Sequence, residues 1–263
     1  MPRFYADMLL LPGCVVSLPE SAARHVQVLR LQPGDALTLF NGDGSAGEGE
    51  YSAVVTQMGR REVSVAVGAF VPTQREAVYP LHIAIGMPAN ERMDWLVEKA
   101  AELGAASIQP LSCERTVLRL DAERALKKTA HWQGVAQAAC EQSGRSRVLH
   151  IHPPARLADW LSGLPAAAAL GLATASAQPP PLRWLLSLQP GSAPLRQQLS
   201  ASGLTVQPTH EQAVVFLSGP EGGFSSAEEA AARLAGFTAV SLGPRVLRSE
   251  TAPLAVLAVV NLG

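Results

Sequence analysis

Glu221, Arg245 and Arg248 are the side chains best suited by type and spacing to do chemistry in this 263-residue chain. Each sits in a glycine-bearing turn near the C-terminal end. Glu221 lies in Ser218-Gly219-Pro220-Glu221-Gly222-Gly223-Phe224, where glycine permits positive φ and lets a ligand approach the backbone closely. Arg245 and Arg248 flank two apolar residues in Gly243-Pro244-Arg245-Val246-Leu247-Arg248-Ser249-Glu250-Thr251-Ala252. A carboxylate among glycines has two readings, a proton acceptor or an orderer of its own loop. The arginines also have two: stabilising negative charge that develops on a substrate, or salt-bridging to Glu221 and Glu250. Two such turns in succession point to a small-ligand site. The ligand's identity does not follow from them.

The turns need elements to hold them side by side. The first is entered from residues 213–217, an unbroken apolar run of the kind found in sheets covered on both faces. It leads to Ser225 as N-cap, with Glu228 three residues on completing a capping box. The second follows a strand at 238–242 and runs into a helix at 253–261. Strand, glycine turn and helix in tandem is how α/β sheets build crevices at the carboxyl ends of strands. Upstream, the patterning predicts a strand at 81–85 and an amphipathic helix over 91–103, with Met93, Leu96, Val97, Ala100 and Leu103 on one face. Gly104 stops that helix. A strand at 107–111 precedes Cys113-Glu114-Arg115-Thr116, which puts Arg115 just past a strand's carboxyl end. A helix over 121–142 follows, with Trp132, Val135, Ala136 and Ala139 as its buried stripe. Glu141, Gln142 and Arg145 close it, either as a helix-end salt-bridge group or as part of a site. A short apolar strand at 166–172 and a short helix at 182–188 between breaker-rich segments complete this region.

Residues 1–72 read as a small β domain, with strands at 15–18, 36–40, 51–57 and 62–67, a helix at 21–29, and a linker at 71–76. Gly42-Asp43-Gly44-Ser45-Ala46-Gly47 matches a dinucleotide fingerprint, but a strand rather than a helix follows it, so it reads as a hairpin loop. No phosphate-binding G-x-x-x-x-G-K-[ST] is present in the sequence. The formal charge is −1 and only Lys99, Lys127 and Lys128 among the 21 basic residues are lysines, so nucleic-acid binding has to use local patches. Three widely spaced cysteines show no metal or redox pairing pattern and favour a reducing compartment. His150 and His152 share a strand face without a third ligand at a telling spacing, so no metal is expected. No run reaches membrane length, and a cytoplasmic protein that contacts no membrane is the expectation.

Gly219-Pro220-Glu221-Gly222-Gly223-Phe224-Ser225, followed by Leu242-Gly243-Pro244-Arg245-Val246-Leu247-Arg248-Ser249-Glu250-Thr251-Ala252, resembles the signature of the bacterial 16S ribosomal RNA uridine N3-methyltransferases (the RsmE family). That family belongs to the SPOUT class of S-adenosylmethionine-dependent enzymes. Glu98-Lys99-Ala100-Ala101-Glu102-Leu103-Gly104 and Ile108-Gln109-Pro110 extend the resemblance. So do Met1-Pro2-Arg3-Phe4, His25, and Val28-Leu29-Arg30-Leu31 ahead of Pro33-Gly34-Asp35. The resemblance implies an α/β fold: a small N-terminal PUA-like β-barrel domain over 1–72, then a SPOUT parallel sheet with a trefoil knot over 73–263. It implies that the turns after Leu172, Leu217 and Leu242 grip S-adenosylmethionine, with Gly219, Gly222, Gly223, Gly243 and Leu247 also at the cofactor. Arg3, Arg24, Arg30, Arg115 and Arg145 are implied as RNA contacts. The partners implied are 16S ribosomal RNA or the assembled small subunit, and a second copy of the chain. The segment at 178–194 departs from the family pattern. The rival expectation is a non-catalytic RNA-binding or ribosome-assembly protein of the same fold.

Overall fold

The structure is a computed structural model that describes residues 1–42, 47–164, 180–204 and 212–262. The strand expected at 166–172, with Leu172, and most of the 42–47 loop lie outside the described residues. The chain divides into two compact units. Met1–Glu76 and Gln137–Val148 form one, and Ala77–Ala136 and Leu149–Gly263 form the other.

In the first unit, β3 (Ala36–Phe40), β4 (Gly49–Met58) and β5 (Val63–Pro72) run as an antiparallel meander. β1 (Arg3–Tyr5) adds parallel to β3 and β2 (Val15–Ser17) antiparallel to β5, giving the order β1-β3-β4-β5-β2. Alternation along β5 sends Val63, Val65 and Val67 inward, as a half-buried strand requires. They pack with Phe4, Leu37, Leu39, Val55 and Val26, the last from α1 (Glu20–Val28). Arg30 ends that helix at φ 57°, the one positive φ outside glycine among the described residues. A helix commonly closes on a left-handed residue at this place, and glycine takes it at least cost.

Residues 137–148 belong to this unit because they are tied to it by buried charge. The Glu76 carboxylate accepts Arg145 Nε at 2.9 Å and Nη2 at 2.7 Å. Its other oxygen takes the Ser146 and Arg147 backbone N–H groups at 2.8 and 2.9 Å. Arg3 makes a second clasp. Its Nε meets Glu50 at 2.8 Å while Nη1 donates to the Cys140 carbonyl at 3.0 Å and Nη2 to the Arg145 carbonyl at 3.2 Å. The guanidinium also lies 4.4 Å from the Phe40 ring centre, a favourable cation–π position. Arg3 thus gathers a carbonyl from the last turn of α3 (Ala122–Ser143) and another from the segment just beyond it.

The second unit is an α/β layer. Its sheet runs β11 (Ala193–Pro194), β13 (Thr238–Ser241), β10 (Leu182–Leu186), β12 (Val214–Ser218), β6 (Leu81–Gly86), β7 (Ser107–Ser112), β8 (His150–Ile151), with β9 (Ala155–Arg156) also on β7. Every pairing among the described residues of this sheet is parallel. α2 (Asn90–Glu102), α4 (Leu157–Gly163), α5 (Leu195–Ser202), α6 (Ser226–Leu234) and α7 (Thr251–Leu262) accompany it. The short helix expected at 182–188 is a correction: residues 182–186 form β10 and the last two lie in the turn after it. Leu182, Leu185 and Leu186 fit a helical period as well as a short buried run does. What decides is pairing on both sides, with Trp184 opposite Phe216 of β12 and Thr238 of β13.

The Arg145–Glu76 pair is nearly closed to solvent, at 6% and 8% side-chain exposure. Removing one partner leaves a buried charge uncompensated, which typically costs about 3–5 kcal/mol. Arg145→Ala is expected to lower stability by about that amount in urea denaturation, against under about 0.5 kcal/mol for a solvated arginine such as Arg24.

Candidate active site

The two glycine turns leave the carboxyl ends of β12 and β13, and β10 lies between those strands. Three parallel strand ends therefore open side by side, at Leu186, Ser218 and Ser241. The turn after β10 holds Ser187, whose N–H binds the Val240 carbonyl at 3.0 Å, and Leu188, which is 64% exposed. Sequence reasoning missed this turn because it missed the strand.

Each turn is shaped by local hydrogen bonds. Gly223 takes φ 65° and its N–H closes onto the Pro220 carbonyl at 2.8 Å. Ser225 and Glu228 make the expected capping box of α6: the Glu228 N–H donates to Ser225 Oγ at 3.3 Å, and the Ser225 N–H to the Glu228 carboxylate at 2.9 Å. The other Glu228 oxygen accepts the Glu114 N–H at 2.8 Å, and Arg115 Nη1 donates to the Gly222 carbonyl at 3.0 Å. The turn after β7 is thus bolted to the turn after β12. A Cβ at Gly222 would stand 3.0 Å from the Arg115 Cβ, so a side chain there would press on that contact. At Gly86 an added Cβ would run into Pro220, so β6 needs glycine where the first turn crosses it. Gly243, at φ 106°, has nothing within 4 Å of the place a Cβ would occupy, and the same is true of Gly223.

The charges divide in a way the sequence did not disclose. Arg92, in the first turn of α2, donates Nη1 to Glu221 at 3.1 Å and places Nε 3.9 Å from Glu250. Glu221 also accepts the Ala89 N–H at 3.0 Å, which satisfies a free donor at the start of α2. Glu250 is 6% exposed and accepts from Ser249 Oγ at 3.1 Å. Arg245 and Arg248 are exposed and make no ion pair among the described residues. The Arg248 carbonyl caps α7 by accepting the Thr251 and Ala252 N–H groups at 3.0 and 3.1 Å. Leu242 and Leu247 are half-buried beside Gly243, whereas Leu217 is fully buried in the core beneath the turn.

Two parts of the chain match known families. Residues 74–261 match the RNA methyltransferase domain, and residues 18–67 the RNA methyltransferase PUA domain. Ribosomal RNA small subunit methyltransferase E of Bacillus subtilis is 30% identical, over 92% of this chain and 87% of its own. The protein of that name from Synechocystis is 31% identical, over 94% and 72%. The chain belongs to the ribosomal RNA small subunit methyltransferase E family. Among solved structures, the methyltransferase E of Neisseria gonorrhoeae bound to S-adenosyl methionine is 34% identical, with a TM-score of 0.82 over 98% of this chain and 96% of that one. A methyltransferase of Legionella pneumophila in complex with the bound cofactor SAM is 32% identical, with a TM-score of 0.83 over 99% and 96%.

In this member of the methyltransferase E family, the arginines singled out for RNA occupy different surroundings. Arg24 and Arg30 are exposed on the first unit, and Arg115 is exposed at the turn after β7. Arg3 and Arg145 are the internal ties described above. His150 and His152 stack edge to face at 4.5 Å. Burial, then the neighbouring imidazoles of His150 and His82, holds His152 below the usual histidine range. Among the described residues no group of three or more His, Cys, Asp or Glu is placed to hold a metal ion.

Arg92→Met removes the cation shared by both turns, and leaving the buried Glu250 with less support typically costs about 1–3 kcal/mol. Hydrogen exchange is expected to accelerate together in 219–224 and 243–250, and acceleration in one turn alone would refute the shared tie. A second test concerns Cys113. Burial, followed by the Glu228 charge, pushes its thiol from the ordinary value of 9.0 up to about 12. The unfolded thiol releases its proton near its ordinary value while the folded one keeps it, so stability falls as pH rises between these two values. A thiol reagent at pH near 8 is expected to label exposed Cys14 at once and Cys113 only on unfolding. A Cys113→Ala variant should lose less stability across the alkaline window.

Proposed function

We propose that this chain transfers a methyl group from S-adenosylmethionine to N3 of a uridine in 16S ribosomal RNA of the small ribosomal subunit. It does so in the cytoplasm, as a homodimer whose sheet carries a trefoil knot. The observation that carries this reading is the division of charge at the turns. Arg92 holds Glu221 and Glu250, so Arg245 and Arg248 keep exposed guanidiniums beside open glycine backbone. Family membership and the two relatives solved with the methyl donor support the choice of cofactor. The apolar α7, with Val259 44% exposed, supports pairing of two copies.

The residues at the strand ends fit an adenosine. Gly219, Gly222, Gly223 and Gly243 offer backbone groups, and Leu242 and Leu247 offer flat apolar walls. Leu188, exposed in the turn after β10, offers a further apolar surface beside them. When bound, S-adenosylmethionine supplies an electrophilic methyl group on a sulfonium sulfur. Uridine N3 carries a proton between two carbonyls and becomes a good nucleophile only as that proton leaves, with charge spreading onto O2 and O4. Arg248 and Arg245 stabilise that charge. Glu221, committed to Arg92 and the Ala89 N–H, positions the turn, and the proton passes to solvent. Arg24, Arg30 and Arg115 contact RNA, while Arg3 and Arg145 hold the first unit together.

N3 lies on the Watson–Crick edge, so its methylation blocks base pairing. Incubation of small subunits with the protein and S-adenosylmethionine is expected to create one new reverse-transcription stop beside a uridine. Absence of a stop, with RNA still bound, would leave a non-catalytic binder. Arg248→Ala is expected to lower the single-turnover methylation rate by about 10²–10³-fold while calorimetric donor affinity stays near the parent's. An unchanged rate constant would remove Arg248 from the chemistry.

A further inference from the structure

Within the second unit, Arg119, Arg124, Lys127, Lys128 and His131 line a cavity of about 430 Å³ whose remaining wall is Leu118 and Leu120. No carboxylate lines it, in a chain whose formal charge is −1, and it collects two of the three lysines. Arg124, Lys127, Lys128 and His131 stand at i, i+3, i+4 and i+7 on α3, which places them on one helix face. That stripe is about 10 Å long, the span of about three phosphates along one strand of a duplex. Arg119 also lines a second cavity, of about 730 Å³, together with Arg156 and Glu114 at the carboxyl end of β7. The trough therefore leads to the turn that Arg115 and Glu228 bolt to the first glycine turn.

A row of charges on an exposed helix is ordinarily a solvated face balanced by its own acids, and two of these cations fit that description. Lys127 meets Glu123 at 2.6 Å and Arg124 meets Asp121 at 3.5 Å. Both pairs are largely exposed, and such pairs hold only weakly, so a phosphate displaces the acids at little cost. Arg119 and Lys128 have no ion pair among the described residues, in contrast to Lys99, which is held by both Glu98 and Glu102. His131 is fixed by Asp94 at 2.9 Å. Unpaired and weakly paired cations, gathered in a concave trough that no carboxylate lines, are complementary to a chain of phosphates.

We infer that this trough holds the sugar-phosphate backbone of the RNA substrate beside the target nucleotide, as an anchoring point on the methyltransferase unit itself. The inference rests on the RNA-methylating reading above. The test uses the full chain carrying Arg119→Gln, Lys127→Gln and Lys128→Gln together, beside a charge-preserving Arg119→Lys, Lys127→Arg, Lys128→Arg control. Binding to purified 16S ribosomal RNA and to small subunits is measured across a salt series, and calorimetry with S-adenosylmethionine verifies the fold. Every phosphate that the protein ceases to neutralise makes the slope of log affinity against log salt shallower by about 0.7–0.9. The neutral variant is expected to bind with a slope shallower by about 2–3 and with more than about tenfold weaker low-salt affinity, with donor affinity unchanged and the control like the parent. A parent-like slope in the neutral variant overturns the inference while the methylation reading stands. A parent that binds RNA without methylating it refutes that reading and leaves the trough to be judged by the slope. Weakening confined to assembled subunits, with naked RNA bound normally, would assign the trough to an acidic ribosomal protein and overturn the proposal.

Discussion

The two glycine turns lie next to each other because β10 hydrogen-bonds to β12 on one side and β13 on the other. Without that strand the turns would leave from separate places on the sheet and no crevice would form between them. Parallel pairing imposes the rest, since strands that all point one way release all their carboxyl ends along one edge. β10 is short, but Arg183 and Trp184 are buried at 6% and 2% exposure, and Arg183 Nη1 donates to the Ala235 carbonyl at the end of α6 at 2.7 Å. The strand therefore also steadies the helix that the first turn leads into.

On this frame the proposed chemistry turns on the allocation of counter-ions. Glu221 and Glu250 stand near the turns with the guanidiniums of Arg92, Arg245 and Arg248. Arg92 reaches across from α2 to serve Glu221 directly and Glu250 at longer range, which leaves the two arginines of the second turn facing solvent. A guanidinium already paired in the resting protein has little left to offer a developing anion, because its partner has neutralised it beforehand. In the proposed reaction, the exposed cations beside the open backbone serve a charge that exists only while a bond is changing. The same logic separates the trough on α3 from Arg3 and Arg145, whose donors are spent on the protein itself.

What could be read from the sequence was what local physics determines. Ser225 and Glu228 announce a capping box three residues apart, and the structure contains it. The apolar run at 213–217 and the strand at 238–242 stand as β12 and β13, allowing for end residues. The failures share a cause in long-range pairing. Residues 182–186 carry leucines that satisfy two periods at once, and only hydrogen bonds to strands some thirty to fifty residues onward settle them as β10. Arg3 and Arg145 look like surface cations until Glu50 and Glu76, 47 and 69 residues away, are brought to them. Arg92 sits 129 residues from Glu221, and nothing in its own neighbourhood marks it as the link between the turns.

The first unit is not one continuous piece of chain. Its strands lie within residues 1–76, yet the groups that satisfy Glu76 and the carbonyls that Arg3 caps come from 137–148. During synthesis the N-terminal sheet therefore emerges with Glu76 unneutralised and waits for roughly 70 further residues, about 4–14 s at common elongation rates. The α/β segment that begins at Ala77 has to be started before the preceding unit can be finished, so the folding of the two is interleaved in time. A stop or a cleavage between them would leave the sheet without its last clasp.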